Sequence, residues 1–306
     1  MKNILFTLVF ISILGSYRAD ATEQIELTVI ATGGLNLREN PTLDGKVLAT
    51  IPYLEKVAVL DEAVSQTDTV GIVNYGDSES NFYQDHVVGE WVKVKHQNYE
   101  GYVFNAYLMQ EYLDEPSQGK EDQYAISFDG VNCVENIHRN KNLKWKGVFK
   151  DRDQFEIRDI RLEYYMSQHD EYGAWCGTVT KANKSPLFMI GAVGDQFKNG
   201  PVEGTYYENG WIFDYSSDSS TVENLTLHVL ENEAILTITE GRQQQKLNAS
   251  YGIHIVWKGD LDGDGKNDYI FTLGEESSNT TLYLSTEASE DQLISPVATY
   301  YSGDCC

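Results

Sequence analysis

Almost nowhere does this chain carry the apolar period of a helix; apolar and polar residues alternate in short runs cut by Asn-Pro, Asp-Gly and Asn-Gly turns. Alternation with period two puts one set of side chains on each face of a strand, so the pattern predicts a mainly β protein built of antiparallel sheets. Clear instances are Leu35-Asn36-Leu37-Arg38, Leu225-Thr226-Leu227-His228-Val229-Leu230 and Tyr206-Tyr207-Glu208-Asn209-Gly210-Trp211-Ile212-Phe213, the last with the Asn-Gly pair that tight hairpins favour. Twenty tyrosines against six prolines fit the same reading. Residues 153–165 are the stretch whose spacing also admits a helix.

At 306 residues the chain exceeds the usual size of one domain. Residues 114–124 are polar, hold proline and glycine and lack periodicity, which makes them a linker between a first domain, 22–113, and a larger β-rich domain, 125–306. Residues 1–21 read as a cleavable secretory signal, with Lys2 at its start, an apolar stretch over 4–14 and the small-residue site Ala19-Asp20-Ala21. That stretch falls short of the roughly twenty residues a membrane span requires. The expected product is secreted or periplasmic, without membrane insertion. A net charge of -24 makes nucleic acid and anionic membranes poor partners.

An oxidising compartment makes disulfides plausible for Cys133, Cys176, Cys305 and Cys306. Adjacent cysteines pair only under strain, because a disulfide wants Cα atoms about 5.5 Å apart and neighbours sit about 3.8 Å apart. At least one of the terminal pair is therefore expected to reach Cys133 or Cys176, with all three connectivities still open. No Cys-x-x-Cys or matching histidine pair supports zinc.

The first domain offers Leu35-Asn36-Leu37-Arg38-Glu39-Asn40-Pro41, then Val47-Leu48-Ala49-Thr50-Ile51, then Gly89-Glu90-Trp91-Val92-Lys93-Val94, and finally Gly101-Tyr102-Val103 with Tyr107-Leu108. In that order these elements resemble a bacterial SH3-like domain. The resemblance implies a small barrel that docks on cell-wall peptide, or peptidoglycan, or on an envelope protein. The residues themselves permit Leu35 and Leu37 to share one strand face and Arg38 to brace a turn carbonyl, while Pro41 fixes the next turn through its locked φ. A departure from the pattern is an insertion over residues 61–88, where a short loop is usual. It is polar yet carries Tyr75, Phe82 and Tyr83, and long loops on a rigid barrel often bind. With Trp91 these are the candidate ligand-binding residues, since aromatic faces grip polar ligands in water; Trp91 also suits the core.

Near the C-terminus, residues 260–268 read Asp-Leu-Asp-Gly-Asp-Gly-Lys-Asn-Asp between two runs of β-branched and aromatic residues. Alternate carboxylates around a glycine bend can converge on one hard cation, and Ca²⁺ takes about six to eight oxygens. Asp260, Asp262, Asp264 and Asp268 would give carboxylate oxygens and Lys266 its backbone carbonyl, with the lysine side chain turned away. Phe271 stands where an EF-hand needs a bidentate glutamate, and the flanks are strands rather than helices. The segment resembles the short calcium loops of FG-GAP or integrin-type propeller repeats. A propeller needs several blades, so this single copy implies a metal loop only. With the shell filled by protein, the expected Ca²⁺ is structural.

Enzyme signatures are weak. Gly-x-Ser-x-Gly, His-Glu-x-x-His and a phosphate-binding Gly-Lys-Ser/Thr loop are absent from the sequence, and its six histidines are unclustered. The sequence therefore reads as an exported envelope binding protein rather than an enzyme, the alternative being a cell-wall hydrolase whose catalytic residues it does not reveal.

Overall fold

The computed structural model describes residues 25–75, 83–110, 120–128, 130–132, 137–169, 173–180, 185–208, 219–230, 233–249, 253–273 and 279–301. Cys133, Cys305, Cys306 and Phe82 lie outside these residues, as do residues 1–24. Nearly all of what is described is antiparallel strand, as the alternation predicts.

The first seven strands are β1 (Glu26–Val29), β2 (Leu35–Arg38), β3 (Val47–Ile51), β4 (Lys56–Tyr75), β5 (Tyr83–His96), β6 (Tyr99–Phe104) and β7 (Leu108–Met109). They form one sheet in the order β3-β2-β6-β5-β4-β1-β7. In β2 the two leucines are buried while Asn36 is exposed. Ile51 at one edge of the sheet and Leu108 at the other pack in a common cluster with Val29, Leu37, Val94 and Val103, so the sheet is rolled around its own core. Each such side chain contributes roughly 1.5–3 kcal/mol on burial. Arg38 Nη1 donates to the Gly45 carbonyl at 2.8 Å, bracing the turn between β2 and β3 as expected.

Residues 61–75 and 83–88 of the insertion are strand. β4 and β5 go on pairing out to Tyr75 opposite Tyr83, with several register shifts on the way, and so extend the barrel by a two-stranded ribbon. Unpaired extra residues in such a ribbon bend it and increase its twist.

The second domain begins with β8 (Tyr124–Ser127), β9 (Gly130–Asn132), β10 (Leu143–Asp151), β11 (Gln154–Asp159), β12 (Leu162–His169), β13 (Gly173–Thr180), β14 (Phe188–Val193), β15 (Gly200–Val202) and β16 (Gly204–Tyr206). It continues with β17 (Ser219–Val222), β18 (Leu225–Leu230), β19 (Glu233–Glu240), β20 (Gln243–Ala249), β21 (Ile253–Gly259), β22 (Asp268–Leu273), β23 (Asn279–Leu284) and β24 (Ser295–Tyr301). Residues 153–165, where a helix was admissible, are instead β11 and the start of β12. Phe155 and Ile157 recur at period two, and the stretch is rich in aromatic and β-branched residues, so pairing with β10 and β13 overrides helix formation.

Four sheets result, in the orders β15-β11-β10-β14-β8, β12-β13-β9, β16-β21-β22-β23-β24 and β17-β18-β19-β20. The β21–β24 sheet is covered on both faces: Trp257, Ile270 and Leu282 pack on Val148, Phe188 and Ile190, while Ile255, Phe271 and Tyr283 pack on Leu225, Leu227 and Leu236. Ile255 and Trp257 stand two apart yet serve opposite faces. A register shift between them, with Ile255 opposite Phe271 and Trp257 opposite Ile270, resets the alternation.

The barrel docks on this assembly through β12. Ile30 packs with Ile137, Leu162, Tyr164 and Met189, and Tyr165 enters the cluster of Val87, Trp91, Phe104 and Ala106. Two hydrogen bonds tie the seam: Thr32 Oγ1 to the Leu162 carbonyl at 2.5 Å and the Tyr53 hydroxyl to the His138 carbonyl at 2.5 Å. A domain contact of this apolar character opposes hinge motion.

Candidate functional site

Where the barrel meets β12 a cleft of about 300 Å³ opens. Its deep side is aromatic, formed by Trp91 and Phe104, with Tyr107 and Tyr164 beside them. Its mouth is polar, with Arg161 and Glu163 from the second domain, and the exposed Leu43 on the barrel side. Gly34 takes φ 84°, which only glycine adopts cheaply, and so turns the chain along the cleft wall. At Gly33 the Arg161 guanidinium lies against the barrel backbone, where a Cβ would make this flexible side chain shift.

Arg161 Nε stands 3.8 Å from Glu163 Oε1, an ion pair outside hydrogen-bond reach, with the arginine side chain 56% exposed and the glutamate 21%. Burial raises the Tyr107 hydroxyl pKa, and the Glu163 charge adds to the effect, so Tyr107 remains a proton-bearing donor at neutral pH.

Of the four aromatic candidates from the sequence, Phe82 lies outside the described residues and Trp91 is the one found in the lining of the cleft. Trp91 lines the cleft but is 1% exposed, stacked edge-on against Phe104 at 5.5 Å, with its Nε1 donating to Asp68 Oδ2 at 3.4 Å. It is a core residue whose ring backs the cleft. Tyr75 and Tyr83 pair at the end of the ribbon, about 16 Å along a strand from Val70, which reaches the cleft. Arg161, Glu163 and Tyr164 escaped the sequence reading because they belong to the other domain and lie in the stretch that admitted a helix. Phe104 and Tyr107 lay within the barrel pattern but carried no sign of facing a ligand.

The second candidate site is the acidic loop, which joins β21 to β22 as a strand-loop-strand unit. Gly263 and Gly265 both take positive φ, 80° and 86°. The loop winds around Asp260, whose carboxylate accepts the N–H groups of Gly263 at 2.7 Å, Asp264 at 3.0 Å and Gly265 at 2.9 Å. Carboxylate oxygens of Asp260, Asp262 and Asp268 lie within 4.8 Å of one another. Oxygens on opposite sides of one Ca²⁺ stand about 5 Å apart, so this spacing fits a shared ion.

Asp268 is fully buried, its oxygens accepting the Leu261 and Ser285 N–H groups, each at 2.8 Å. Burial, with the Asp262 charge adding to it, pushes its pKa up to about 7. Asp262 is raised as well, by burial first and by Asp264 and Asp260 next, despite the Thr286 hydroxyl it accepts at 2.5 Å. Asp264 stands outside the group of three and accepts the Ser285 hydroxyl at 3.0 Å. The Lys266 side chain is 71% exposed, yet its Nζ stands 4.0 Å from Asp264 Oδ2 rather than turning away from the carboxylates. Ser285 and Thr286 were not legible in the loop itself; they arrive on the turn after β23, brought over by strand pairing.

Among the described residues no helix is long and apolar enough to cross a membrane. Comparison with curated proteins and with solved structures finds no match to the chain. Residues 33–109 match the family model described as the bacterial SH3 domain. The rolled sheet, the arginine-braced turn and this match together identify the N-terminal barrel as a bacterial SH3 domain, set against a second, larger β domain.

Proposed function

We propose that the protein is an exported, envelope-associated binding protein whose SH3 barrel docks on cell-wall peptide and whose second domain is held by a structural calcium ion. Bacterial SH3 domains are in general binding modules. The observation that carries the reading is the cleft, which combines an aromatic wall with an opposite-charge pair in about 300 Å³. That volume stands at the lower end of small-ligand sites, roughly 300–1,000 Å³. A protein partner would ask for a face of roughly 800 Å², so a short peptide is the better fit. Export rests on the signal-like segment over residues 1–21.

Sedimentation with purified peptidoglycan, followed by assay of the supernatant for soluble fragments, tests this reading. The expected result is protein in the pellet without fragment release. Protein remaining in solution refutes wall docking and leaves an envelope protein as the partner, whereas release of fragments turns the protein into a hydrolase. Export predicts a mature N-terminus at Thr22, read by mass spectrometry of the secreted form.

For the second domain, Asp260, Asp262 and Asp268 would hold the ion, with Asp264 and the Lys266 carbonyl completing the shell. Support comes from the 4.8 Å clustering and from two carboxylates, Asp262 and Asp268, whose ionised forms are disfavoured by burial and by neighbouring loop carboxylates. A bound cation supplies the positive charge that reverses both effects. Ligand binding to the folded state alone adds about 2.7 kcal/mol at a hundredfold excess over Kd. Calcium content of the purified protein, together with melting in calcium and in chelator, decides the matter; no bound calcium and identical midpoints refute it.

A further inference from the structure

We propose that Lys146 and Asn199 join into an intramolecular isopeptide bond, Lys146 Nζ to Asn199 Cγ, with Asp159 moving the protons. The three side chains close a triangle in the second domain. Lys146 Nζ donates to Asp159 Oδ1 at 2.5 Å and to Asn199 Oδ1 at 3.0 Å, and Asn199 Nδ2 donates to Asp159 Oδ2 at 2.5 Å. The two oxygens of one carboxylate thus hold the two nitrogens that would react, the amine that attacks and the amide nitrogen that leaves. An ordinary ion pair asks for only the first of these contacts. Backbone pairing sets the triangle in place: Lys146 stands opposite Asp159 across β10 and β11, while β15, on the other side of β11, begins at Gly200 opposite Ile157. Asn199 is the residue that leads into that strand.

The Lys146 side chain is 11% exposed, which confines the amine, whereas Asp159 is 70% exposed, which leaves ammonia a path to water. The neighbouring Lys144 is engaged with Asp195 at 2.6 Å, so Lys146 is the amine that faces Asn199. Hydrogen bonds from Lys146 first and Asn199 next hold the Asp159 carboxyl below its usual pKa, so at neutral pH it acts as the base. Asp159 takes a proton from the Lys146 ammonium, and the freed lone pair attacks Asn199 Cγ, forming the C–N bond as the carbonyl pair moves onto Oδ1. Asp159 then gives that proton to Nδ2. The Oδ1 pair returns, the Cγ–Nδ2 bond breaks and ammonia departs, carrying the second proton shed by the Lys146 nitrogen as ammonium. No oxidant or further reactant is consumed, and holding the groups in contact replaces a bimolecular encounter. The bond would tie β10 to the chain entering β15, a three-residue edge strand, across 53 positions of sequence. Like a disulfide it would restrict the unfolded chain, without needing an oxidising compartment.

Mass spectrometry of the full protein, reduced and unfolded, reads the bond directly. The wild type is expected to be lighter by one ammonia than its sequence requires. Digestion should release a branched peptide that joins the segment of Lys146 to that of Asn199, with the tryptic cut after Lys146 lost. Lys146→Arg and Asn199→Ala should carry their full masses, and Asp159→Ala should stay largely unlinked. Asn199 also precedes Gly200, whose backbone nitrogen can close a cyclic imide with the same loss of ammonia. A loss that persists in Lys146→Arg, or that maps to a linear peptide, identifies that imide and overturns the assignment. A wild type of full mass overturns it too, as does one that has gained mass by deamidation at Asn199. The branched peptide is sought in the wild type itself, so a variant that fails to fold leaves the outcome decided.

Discussion

His138 gives the seam between the domains a defined pH dependence. Its carbonyl accepts the Tyr53 hydroxyl from the barrel, its ring packs on Trp145 with centroids 5.1 Å apart, and the ring donates to the Ile126 carbonyl. Its Nε2 is buried with no hydrogen-bond partner among the described residues. Burial lowers the pKa from 6.5 to about 4. The folded pKa lies below the unfolded one, so the unfolded chain binds more protons between those values. The stability contribution is therefore complete above about pH 6.5, is lost as pH falls, and levels off near 4. Moving from about pH 7 to about pH 5 should cost about 2 kcal/mol from this group alone. Urea unfolding at the two pH values, for the wild type and for His138→Gln, isolates it. Glutamine keeps a donor for Ile126 but takes up no proton, and the carboxylates titrate alike in both proteins and cancel in the comparison. The wild type should lose about 2 kcal/mol more than the variant between the two pH values. Parallel losses would refute the reasoning, because they would mean that the ring is protonated as easily in the folded protein as in the unfolded chain.

Asp262→Asn should abolish the calcium-dependent rise in melting temperature while leaving the calcium-free midpoint unchanged or higher, since it removes one of the repelling charges; Lys266→Ala should keep the rise, because the shell would take its backbone carbonyl and the lost ammonium, 4.0 Å from Asp264, only competes with a cation there. Differential scanning calorimetry with calcium and with chelator reads both. Trp91→Ala should destabilise by about 3–5 kcal/mol in urea titrations, as expected of a ring 1% exposed against Phe104. Gly204→Ala should cost about 1–3 kcal/mol, because a Cβ there overlaps the indole of Trp257, a fully buried ring that also packs against Phe155 and Phe188; an unchanged midpoint of chemical unfolding would show that the indole has room to move.

The strands were legible because each records its pleat locally. Leu35 and Leu37 alternate with Asn36, and that pattern survives folding unchanged. The strands buried on both faces gave a less decisive signal. Ile253, Ile255, Val256 and Trp257 are all buried, since one sheet covers each face and the bulge at Val256 switches which residues face which neighbour. The stretch 153–165 misled because its apolar residues serve period two only once β10 and β13 are alongside. The insertion was read as a loop because its polar composition hides the strand pairing that β4 and β5 continue from Asp61 out to Tyr75 opposite Tyr83.

The two candidate sites differ in legibility for a physical reason. The acidic loop is contiguous: the carboxylates and the glycines that turn the chain between them lie within nine residues, so spacing alone places Asp260, Asp262 and Asp268 near one another. Even there the turn carrying Ser285 and Thr286 was invisible, because only the pairing of β22 with β23 brings it to Asp262 and Asp264. The cleft is non-local throughout. Gly33 and Arg161 come together only when two folded domains meet, and nothing local in the sequence records that meeting. Gly33 does not take a positive φ, unlike Gly34 beside it. Neither its conformation nor the movable tip of Arg161 makes a glycine legible there as part of a site. The lining of the cleft is thus divided between two parts of the chain, Arg38, Trp91, Phe104 and Tyr107 coming from the barrel and Arg161, Glu163 and Tyr164 from the second domain, so neither stretch read alone contains it.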